Sequence, residues 1–314
     1  MAVSATPRIA EIPTVAVAYS GGPDSTALLW VVARQAQRFQ GLRVLAFHVH
    51  HGLQPEADAW LDQARSVCDR LGVGLFDIRL SGRPGQGDSV EAWARRGRYE
   101  GLRQLAVAQG ASLVLLAQHA EDQAETVLLQ ALRGGGPAGL AAMPREWSDQ
   151  GVRFVRPWLD QRRAQLHAVA AHCGLPVVSD PSNADARFAR SRLRMSVMPA
   201  LEGAFPDAVR ALGQVARQAA QAEGLAREAA AADLPGCVDA AGCLCHHAWS
   251  ALPPARRRNV LRAWLQARLS DVPRSLLERL SSEWVGQGGV WPARSALVRS
   301  RRGRLTVQHS PATK

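Results

Sequence analysis

The sequence predicts an α/β fold with a doubly wound parallel sheet, followed by a smaller, mainly helical C-terminal domain. Up to residue 201, short β-favouring runs alternate with longer helical patterns, as is typical of parallel strands joined by crossover helices. A turn with two consecutive glycines joins the first strand to the first helix. After Pro206 alanine-rich and arginine-rich helical patterns replace the alternation. We therefore predict one domain over residues 1–205 and another over residues 206–314.

Four predicted strands, each followed by a predicted helix, form the N-terminal domain. The strand segments are short and apolar, whereas the helical segments exceed ten residues and repeat apolar residues every three or four positions. The strands are Thr14–Tyr19, Arg43–Val49, Gly74–Leu80 and Ser112–Ala117, and the helices are Ser25–Gln37, Glu56–Leu71, Ser89–Gln109 and Glu121–Leu132. Because ligands of doubly wound sheets bind beyond the carboxyl ends of the strands, we expect the turns Ser20–Ser25, His48–Leu53 and Gln118–Asp122 to meet.

The C-terminal domain is predicted to contain three helices and a strand-like end. The helices are Ala208–Ala232, Pro253–Arg268 and Pro273–Glu283, and the strand-like segment is Ala296–Val307. On a single strand the arginines of that segment would be divided between two faces, because successive side chains alternate. They would share one face only if the chain bent near Gly303. These arginines are Arg299, Arg301, Arg302 and Arg304.

The charge of the chain favours a polyanionic partner. It has 38 Lys and Arg residues against 27 Asp and Glu residues, a formal net charge of +11, and Lys314 is its only lysine. Codon usage can explain the preference for arginine, but not the excess of bases over acids. Nucleic acid is therefore the expected partner. Arg256, Arg257 and Arg258, at the start of an amphipathic helix, are the predicted contacts, although a merely solvated helix start is the alternative reading.

Composition argues against membrane and secreted classes. No apolar run approaches the roughly 18 residues that a membrane-spanning helix needs. Val15–Tyr19 is too short for the apolar region of a signal peptide, so we expect a cytoplasmic protein. The five cysteines are odd in number and scattered, which argues against a disulfide framework. The Cys243–His247 segment is spaced too tightly for a typical zinc site, and its role stays open.

The glycine turn after the first strand has the features of a phosphate site. Gly21 and Gly22 let the backbone approach an anion, and the following helix directs unpaired amides and its positive dipole end at the same place. No lysine follows the glycines, which excludes a Walker A loop. The run Ser20, Gly21, Gly22, Pro23, Asp24 and Ser25 instead resembles the pyrophosphate loop, or PP-loop, of ATP-cleaving adenylating enzymes. The alternative is an ordinary turn with a helix cap.

Six segments beyond this loop have more specific patterns. They are His50–Leu53, Glu91–Tyr99, Gln118–Thr126, Arg133–Leu140, Asp180–Asn183 and Arg190–Arg194. Together they resemble the bacterial tRNA(Ile)-lysidine synthetase family, strongly over residues 14–201 and weakly through Leu252–Leu265. Two positions depart from the family pattern: Gly135 replaces the usual serine, and Ser191 replaces the usual asparagine.

The resemblance implies a two-step ligase reaction in tRNA processing. ATP adenylates O2 of cytidine 34 in the CAU anticodon of tRNA(Ile), and the ε-amine of free L-lysine then displaces AMP at C2 to give lysidine. ATP is thus the co-substrate. Mg²⁺ is the expected metal, since the anionic Asp24 would repel phosphates unless a cation lay between them. The partners implied are tRNA(Ile) and L-lysine. The sequence leaves the oligomeric state open, with a homodimer as one option.

The resemblance also implies roles for individual residues. It gives Asp24, His119, Asp122 and Glu125 as catalytic residues, and it adds His51, Arg95 and Arg98 to the ATP-binding loop. Asp122 and Glu125 are three residues apart on a predicted helix and so share a face, where they are expected to bind the lysine ammonium. Acidic residues in a first helical turn can also act only as partners of the helix dipole.

Two other functions are weighed against this one. A tRNA 2-thiocytidine synthetase would share the loop but uses a Cys-x-x-Cys pair, and no two cysteines here are three residues apart. A catalytically silent nucleic-acid-binding module would not need an intact Ser20–Ser25 loop together with an acidic pair. ATP–pyrophosphate exchange in the presence of tRNA distinguishes the silent module from an enzyme.

Overall fold

A computed structural model describes residues 13–39, 41–50, 52, 56–82, 90–178, 187–269, 271–293 and 296–309. The chain divides into two compact units between Gln218 and Ala219. This division lies within a long helix, whereas the boundary predicted from the sequence, after residue 205, precedes that helix. The predicted boundary stays a prediction that limited proteolysis can test. Among the described residues, no helix is both long enough and apolar enough to cross a membrane.

The first unit contains a six-stranded sheet. Its strands are β1 (Thr14–Ala18), β2 (Arg43–His50), β3 (Gly74–Arg79), β4 (Leu113–Leu115), β5 (Glu146–Asp149) and β6 (Val152–Val155), in the spatial order β3-β2-β1-β4-β6-β5. Neighbouring strands are parallel except β5 and β6, which form an antiparallel hairpin. The chain fills one side of β1 with β2 and β3 before it crosses to β4. At such a reversal of strand order, the strand ends leave a crevice for a ligand.

Helices cover both faces of this sheet. They are α1 (Pro23–Ala36), α2 (Ala57–Leu71), α3 (Val90–Gln109), α4 (Ala120–Leu132), α5 (Pro137–Leu140), α6 (Arg163–Cys173), α7 (Ala189–Arg192) and α8 (Met198–Ala204), with a π-helical turn over Leu193–Val197. On one face Val17 of β1 packs in a core with Leu28 of α1, and on the other Ala16 packs with Leu102 of α3. Successive residues of β1 are therefore buried on opposite sides, which explains its continuous apolar run.

The four strands and four helices predicted for this unit are all present, with ends shifted by a few residues. The β5–β6 hairpin is absent from the predicted elements, because each strand has only four residues and β5 is mostly exposed. Its turn residues Gln150 and Gly151 have φ angles of +46° and +85°. Two consecutive positive φ angles are typical of tight hairpin turns.

The second unit combines helices with an antiparallel sheet. The long helix α9 (Ala208–Cys237) leads into it, followed by α10 (His246–Ser250), α11 (Pro254–Gln266) and α12 (Arg274–Glu283). Its strands are β7 (Leu244–Cys245), β8 (Gly289–Ala293), β9 (Ala296–Arg301) and β10 (Arg304–His309), in the order β7-β10-β9-β8. Trp249, Trp264 and Trp284 lie in its core with leucines of α11 and α12. The three predicted helices are thus present, α10 is an addition to them, and the sheet extends the predicted strand-like segment.

The predicted strand-like segment Ala296–Val307 forms two strands, because the chain reverses within it. Arg302 and Gly303 have φ angles of +50° and +72° and form the turn between β9 and β10. The register then pairs Arg301 with Arg304. The chain therefore bends at Gly303, which is the condition for a shared basic face.

Candidate active site

The Ser20–Ser25 loop joins β1 to α1 and presents backbone amides at the start of that helix. Gly22 caps the helix and Pro23 occupies its first turn, where a proline loses no helical hydrogen bond. The Ser25 hydroxyl accepts a hydrogen bond from the Ser20 N–H at 3.3 Å and donates one to the Gly22 carbonyl at 3.0 Å. Because the first amides of a helix have no partner within it, this closed loop is suited to bind an anion.

The position of Gly21 in this loop requires glycine. Its φ angle is +84°, and a Cβ atom there would lie 2.9 Å from Cγ2 of Val178. The Gly21 carbonyl accepts hydrogen bonds from the Val178 N–H at 2.8 Å and from the Thr26 hydroxyl at 3.3 Å. The loop is therefore held against the segment that follows α6, and it has no space for a side chain at Gly21.

We expect Gly21→Ala to lower the free energy of unfolding by about 1–3 kcal/mol, the usual range for a residue forced into strained backbone. Urea denaturation of the two proteins measures the difference. Gly22→Ala is the matched control, since Gly22 has a φ angle of −70° and its added Cβ would meet only the Ser20 hydroxyl at 3.6 Å. Equal losses in the two variants would contradict the steric explanation.

The turn after β4 places His119 beside the loop. His119 caps α4 and is only 1% exposed, and its N–H donates to Oδ2 of Asp122 at 3.2 Å. Its Nε2 lies 3.4 Å from that same oxygen and 3.8 Å from Oδ2 of Asp24, while its Nδ1 lies 3.0 Å from Oε2 of Glu121. The turns that follow β1 and β4 therefore meet, as predicted. The end of β2 is adjacent to them, since Nδ1 of His48 lies 2.9 Å from the Tyr19 carbonyl oxygen.

Three carboxylates set the charge of this imidazole. Burial alone would lower the pKa of His119, but the hydrogen bond to Glu121 and the charges of Asp122 and Asp24 outweigh it and raise that pKa. Burial would raise the pKa of Glu121. The carboxylate, however, accepts hydrogen bonds from His119 and from the Arg163 N–H, and these lower the pKa of Glu121 to about 2. Burial raises the pKa of Asp24. The arrangement favours an imidazolium held between carboxylates.

Asp122 and Glu125 share one face of α4, and two arginines bind both of them. Arg190 contacts Glu125 through Nε at 2.8 Å and Asp122 through Nη2 at 3.1 Å. Arg194 contacts Glu125 through Nε at 2.7 Å and Asp122 through Nη2 at 3.1 Å. Glu125 is 1% exposed and Asp122 is largely buried as well. The two negative charges are thus balanced by two positive ones, so a further cation would compete with the guanidinium groups for these carboxylates.

A cavity of about 250 Å³ lies beside Glu125. Its lining combines acidic side chains, arginines and apolar surface from the start of α8. A site of this composition suits a ligand that has an aliphatic chain and a cationic end. The lining residues are Glu121, Glu125, Arg163, Arg194, Met198, Pro199 and Glu202.

The residues around Asp24 fit a magnesium ion bound together with phosphates. Among the described residues, Oδ1 of Asp24 has no hydrogen-bond partner although it is buried, and Nε2 of His167 lies 3.4 Å from it. Mg²⁺ is usually held by one or two carboxylates with phosphate oxygens and water, so a single free carboxylate oxygen next to the loop is sufficient. No group of three or more metal-ligating side chains is found in the described part of the chain.

Comparison with known proteins agrees with this geometry. The PP-loop domain model matches residues 5–201, and the TilS substrate binding domain model matches residues 244–306. The tRNA(Ile)-lysidine synthase of Bordetella bronchiseptica is 40% identical over 308 residues, which cover 93% of this chain and 89% of that protein. The chain belongs to the tRNA(Ile)-lysidine synthase family. The enzyme of the same name from Polaromonas naphthalenivorans is 42% identical over 277 residues, which cover 88% of this chain and 82% of that protein.

A solved structure supports the fold of the family's PP-loop domain. The U34-tRNA thiolase NcsA from Methanococcus maripaludis matches with a TM-score of 0.58 over 66% of this chain and 72% of its own, at 14% identity. Membership of the tRNA(Ile)-lysidine synthase family does not favour the 2-thiocytidine synthetase or the silent binding module. The Ser20–Ser25 loop lies within the residues that the PP-loop domain model matches, and its binding of ATP stays a prediction.

One departure from the family pattern has a structural reason. A Cβ atom on Gly135 would lie 2.8 Å from the carbonyl oxygen of Gln130, which already accepts a hydrogen bond from the Gly135 N–H. The serine that is usual at this position would therefore force the connection after α4 to shift. Ser191 is buried between Arg190 and Arg192, and nothing in the structure explains its replacement of asparagine.

The remaining predicted residues belong to other parts of the chain. His51 falls outside the described residues. Arg95 and Arg98 lie on α3, where the guanidinium of Arg95 is 5.4 Å from the centre of the Tyr99 ring. Their contact with nucleotide stays a prediction. Arg256, Arg257 and Arg258 belong to the second unit, in the first turn of α11.

Four residues of this region are not among the site residues predicted from the sequence. Arg190 and Arg194 lie within a recognised motif, and their spacing of four residues opposite an acidic pair is a signal that could have identified them as its partners. His167 approaches Asp24 from α6, and no local pattern predicts that contact. Arg156 is buried, stacks 4.3 Å from the centre of the Trp147 ring and donates to the Tyr99 hydroxyl at 2.9 Å.

Proposed function

We propose that this chain is a tRNA(Ile)-lysidine synthase, a ligase that joins free L-lysine to C2 of cytidine 34 in the CAU anticodon of tRNA(Ile). Family membership supports the reaction class. The observation that supports the proposed site is that the Ser20–Ser25 loop meets the start of α4. There, Nε2 of His119 lies within 4 Å of a carboxylate oxygen of Asp24 and of one of Asp122. One place then serves both the phosphates and the attacking amine.

In the first step, O2 of the cytidine attacks the α-phosphorus of ATP and pyrophosphate leaves. The PP-loop amides and the start of α1 would hold the β- and γ-phosphates, since their fixed dipoles stabilise the charge that develops on the leaving group. Asp24 would act through Mg²⁺, which supplies further neutralisation when it is bound. His119 would keep Asp24 and Asp122 in place as a buried cation between them.

In the second step, the ε-amine of lysine attacks C2 and the C2–O2 bond breaks. AMP leaves from C2 with O2 in its phosphate group, and the attacking nitrogen releases a proton. Asp122 and Glu125 would attract the lysine ammonium, and the cavity beside Glu125 would receive the aliphatic chain against Met198 and Pro199. Since Arg190 and Arg194 already bind both carboxylates, lysine must displace part of that network or approach an oxygen that it leaves accessible. A displaced guanidinium would be free to bind the lysine carboxylate or a phosphate.

The remaining parts of the proposal concern partners and location. We propose a cytoplasmic enzyme with tRNA(Ile), ATP and L-lysine as its substrates and without a membrane partner, and a homodimer stays one option for its assembly. The second unit would bind tRNA, which the match to a substrate binding domain and the basic charge of the chain support.

Mass spectrometry of tRNA nucleosides tests the proposed function directly. Unmodified tRNA(Ile) is incubated with the protein, ATP, Mg²⁺ and lysine, and its nucleosides are then analysed. The expected result is a cytidine whose mass has increased by one lysine residue, formed only when ATP is present. A sulfur-sized gain, or no gain with folded protein, would contradict the proposal.

A further inference from the structure

The outer surface of the second sheet has three arginines on one face of the β9–β10 hairpin. The antiparallel register pairs Arg301 directly with Arg304, and it places Arg299 opposite Thr306 two positions further along. Directly opposite residues project to the same face of a sheet. Arg299, Arg301 and Arg304, here called the hairpin face, are all exposed. The buried residues that alternate with them are Val298, Ser300 and Leu305.

This arrangement is unfavourable for an isolated hairpin. Like charges directly opposite each other on two strands repel, and Arg301 faces Arg304 in this way. Asp239 relieves only one of them, with Oδ2 at 3.3 Å from Nε of Arg304. The turn places another arginine, Arg302, at a φ angle of +50°, where asparagine, aspartate or glycine is normally preferred. Local preferences conflict with a fold mostly at functional sites, and an anion on this face would turn the repulsion into attraction.

Two of the three arginines at the start of α11, by contrast, have partners within their own unit. Arg256 makes a two-point contact with the carboxylate of Asp233, whose side chain is 7% exposed, and one of these bonds joins Nε to Oδ2 at 2.7 Å. The guanidinium of Arg257 lies 5.7 Å from the centre of the Trp249 ring. To bind a phosphate, Arg256 would have to leave a nearly buried carboxylate without its partner, which is costly.

We propose that the hairpin face binds the phosphate backbone of the tRNA substrate, and that it supplies more of the salt-dependent affinity than Arg256–Arg258. The identity of the RNA rests on the proposed function. Arg299 and Arg301 are two residues apart on one strand, so their side chains emerge roughly 7 Å apart. A row of separated guanidiniums fits a repeating anion better than a single small one, and each can bind a phosphate through two hydrogen bonds.

The test compares full-length variants that each lose two positive charges. Arg299→Gln with Arg301→Gln removes the hairpin pair, and Arg256→Gln with Arg258→Gln removes the α11 pair. Arg274→Gln with Arg279→Gln is the control, because these exposed α12 residues bind Glu278 and Glu283. The dissociation constant for unmodified tRNA is measured across a salt series. Each lost phosphate contact should flatten the log–log slope by about 0.7–0.9, so the hairpin variant should lose about 1.5 and the control almost nothing.

A variant that gains a positive charge gives a second measurement, which does not require the fold to tolerate the removal of arginines. Thr306→Arg places a new arginine opposite Arg299 on the same face. We expect the salt slope to steepen by about 0.7–0.9 and tRNA binding to tighten at low salt. Thermal unfolding of each variant verifies that the sheet is intact.

Three outcomes would overturn the inference. The first is a hairpin variant with an unchanged salt slope, and the second is an α11 variant whose slope falls more than that of the hairpin variant. The third is binding to phosphatidylglycerol vesicles that depends on Arg299 and Arg301 while tRNA binding does not, which would make the face a membrane contact. If lysidine forms but the salt slope of the hairpin variant is unchanged, only this inference is contradicted and the proposed function is not. Hairpin-dependent tRNA binding without lysidine contradicts the proposed function instead.

Discussion

Asp24→Asn should lower the rate of tRNA adenylation by about 10²–10³-fold, which corresponds to about 3–4 kcal/mol of lost transition-state stabilisation. The physical reason is that Oδ1 of Asp24 is buried beside the Ser20–Ser25 loop without a hydrogen-bond partner among the described residues. Asparagine cannot supply the negative charge that the proposed Mg²⁺ would require there. Adenylation is measured as pyrophosphate release in the presence of tRNA and saturating ATP. Near-normal rates would remove Asp24 from the mechanism.

Stability distinguishes a functional loss from a folding defect in this variant. Burial raises the pKa of Asp24, so the folded protein disfavours its ionised form. A carboxyl group whose pKa is raised by folding lowers the stability of the protein at neutral pH. Its replacement by a neutral amide should therefore leave the unfolding temperature equal or higher. Asp207→Asn, at an exposed carboxylate of the same unit, is the control and should change neither rate nor stability appreciably. An unfolded Asp24→Asn protein would contradict this account.

Asp122→Asn should raise the lysine concentration required for half-maximal rate by about 10–100-fold, equivalent to the roughly 1.5–3 kcal/mol of a charged hydrogen bond. The required ATP concentration should change much less, because the PP-loop is unaltered. Adenylated tRNA should accumulate at low lysine, since the first step no longer feeds the second. Steady-state kinetics with each substrate varied in turn makes the measurement.

The contrast with Glu125 makes this result interpretable. Glu125 is almost fully buried and binds both Arg190 and Arg194, so Glu125→Gln should destabilise the fold by about 3–5 kcal/mol, as the breaking of a buried ion pair does. Asp122 is less buried and is the cleaner probe of lysine binding. If the lysine and ATP requirements rose together in Asp122→Asn, the acidic pair would have a structural role or would serve ATP.

Local sequence patterns were sufficient for most elements of the first unit, whereas the roles predicted for its site residues stay predictions. Short apolar runs, glycine turns and helix starts are read over a few neighbouring residues, which is why β1 to β4, the PP-loop and the acidic face of α4 are all predictable. The β5–β6 hairpin is not, because four-residue strands with an exposed edge show too little periodicity. The sheet of the second unit is predicted only in part, since its hairpin turn depends on Arg302 in an unusual conformation.

By itself, the sequence determined that this protein has a PP-loop domain, an acidic pair at the start of α4 and an excess of arginine. Only the tertiary structure decided what these charges contact. Arg190 binds Glu125 across 65 residues of chain, and Arg256 binds Asp233 across 23, whereas Arg301 and Arg304 face each other in the open. Charge pairing between distant segments depends on how helices and strands pack, and the periodicity of each segment has no information about its partner. For that reason the same residue type forms a structural ion pair on α11 and an exposed charge opposite another arginine on the hairpin.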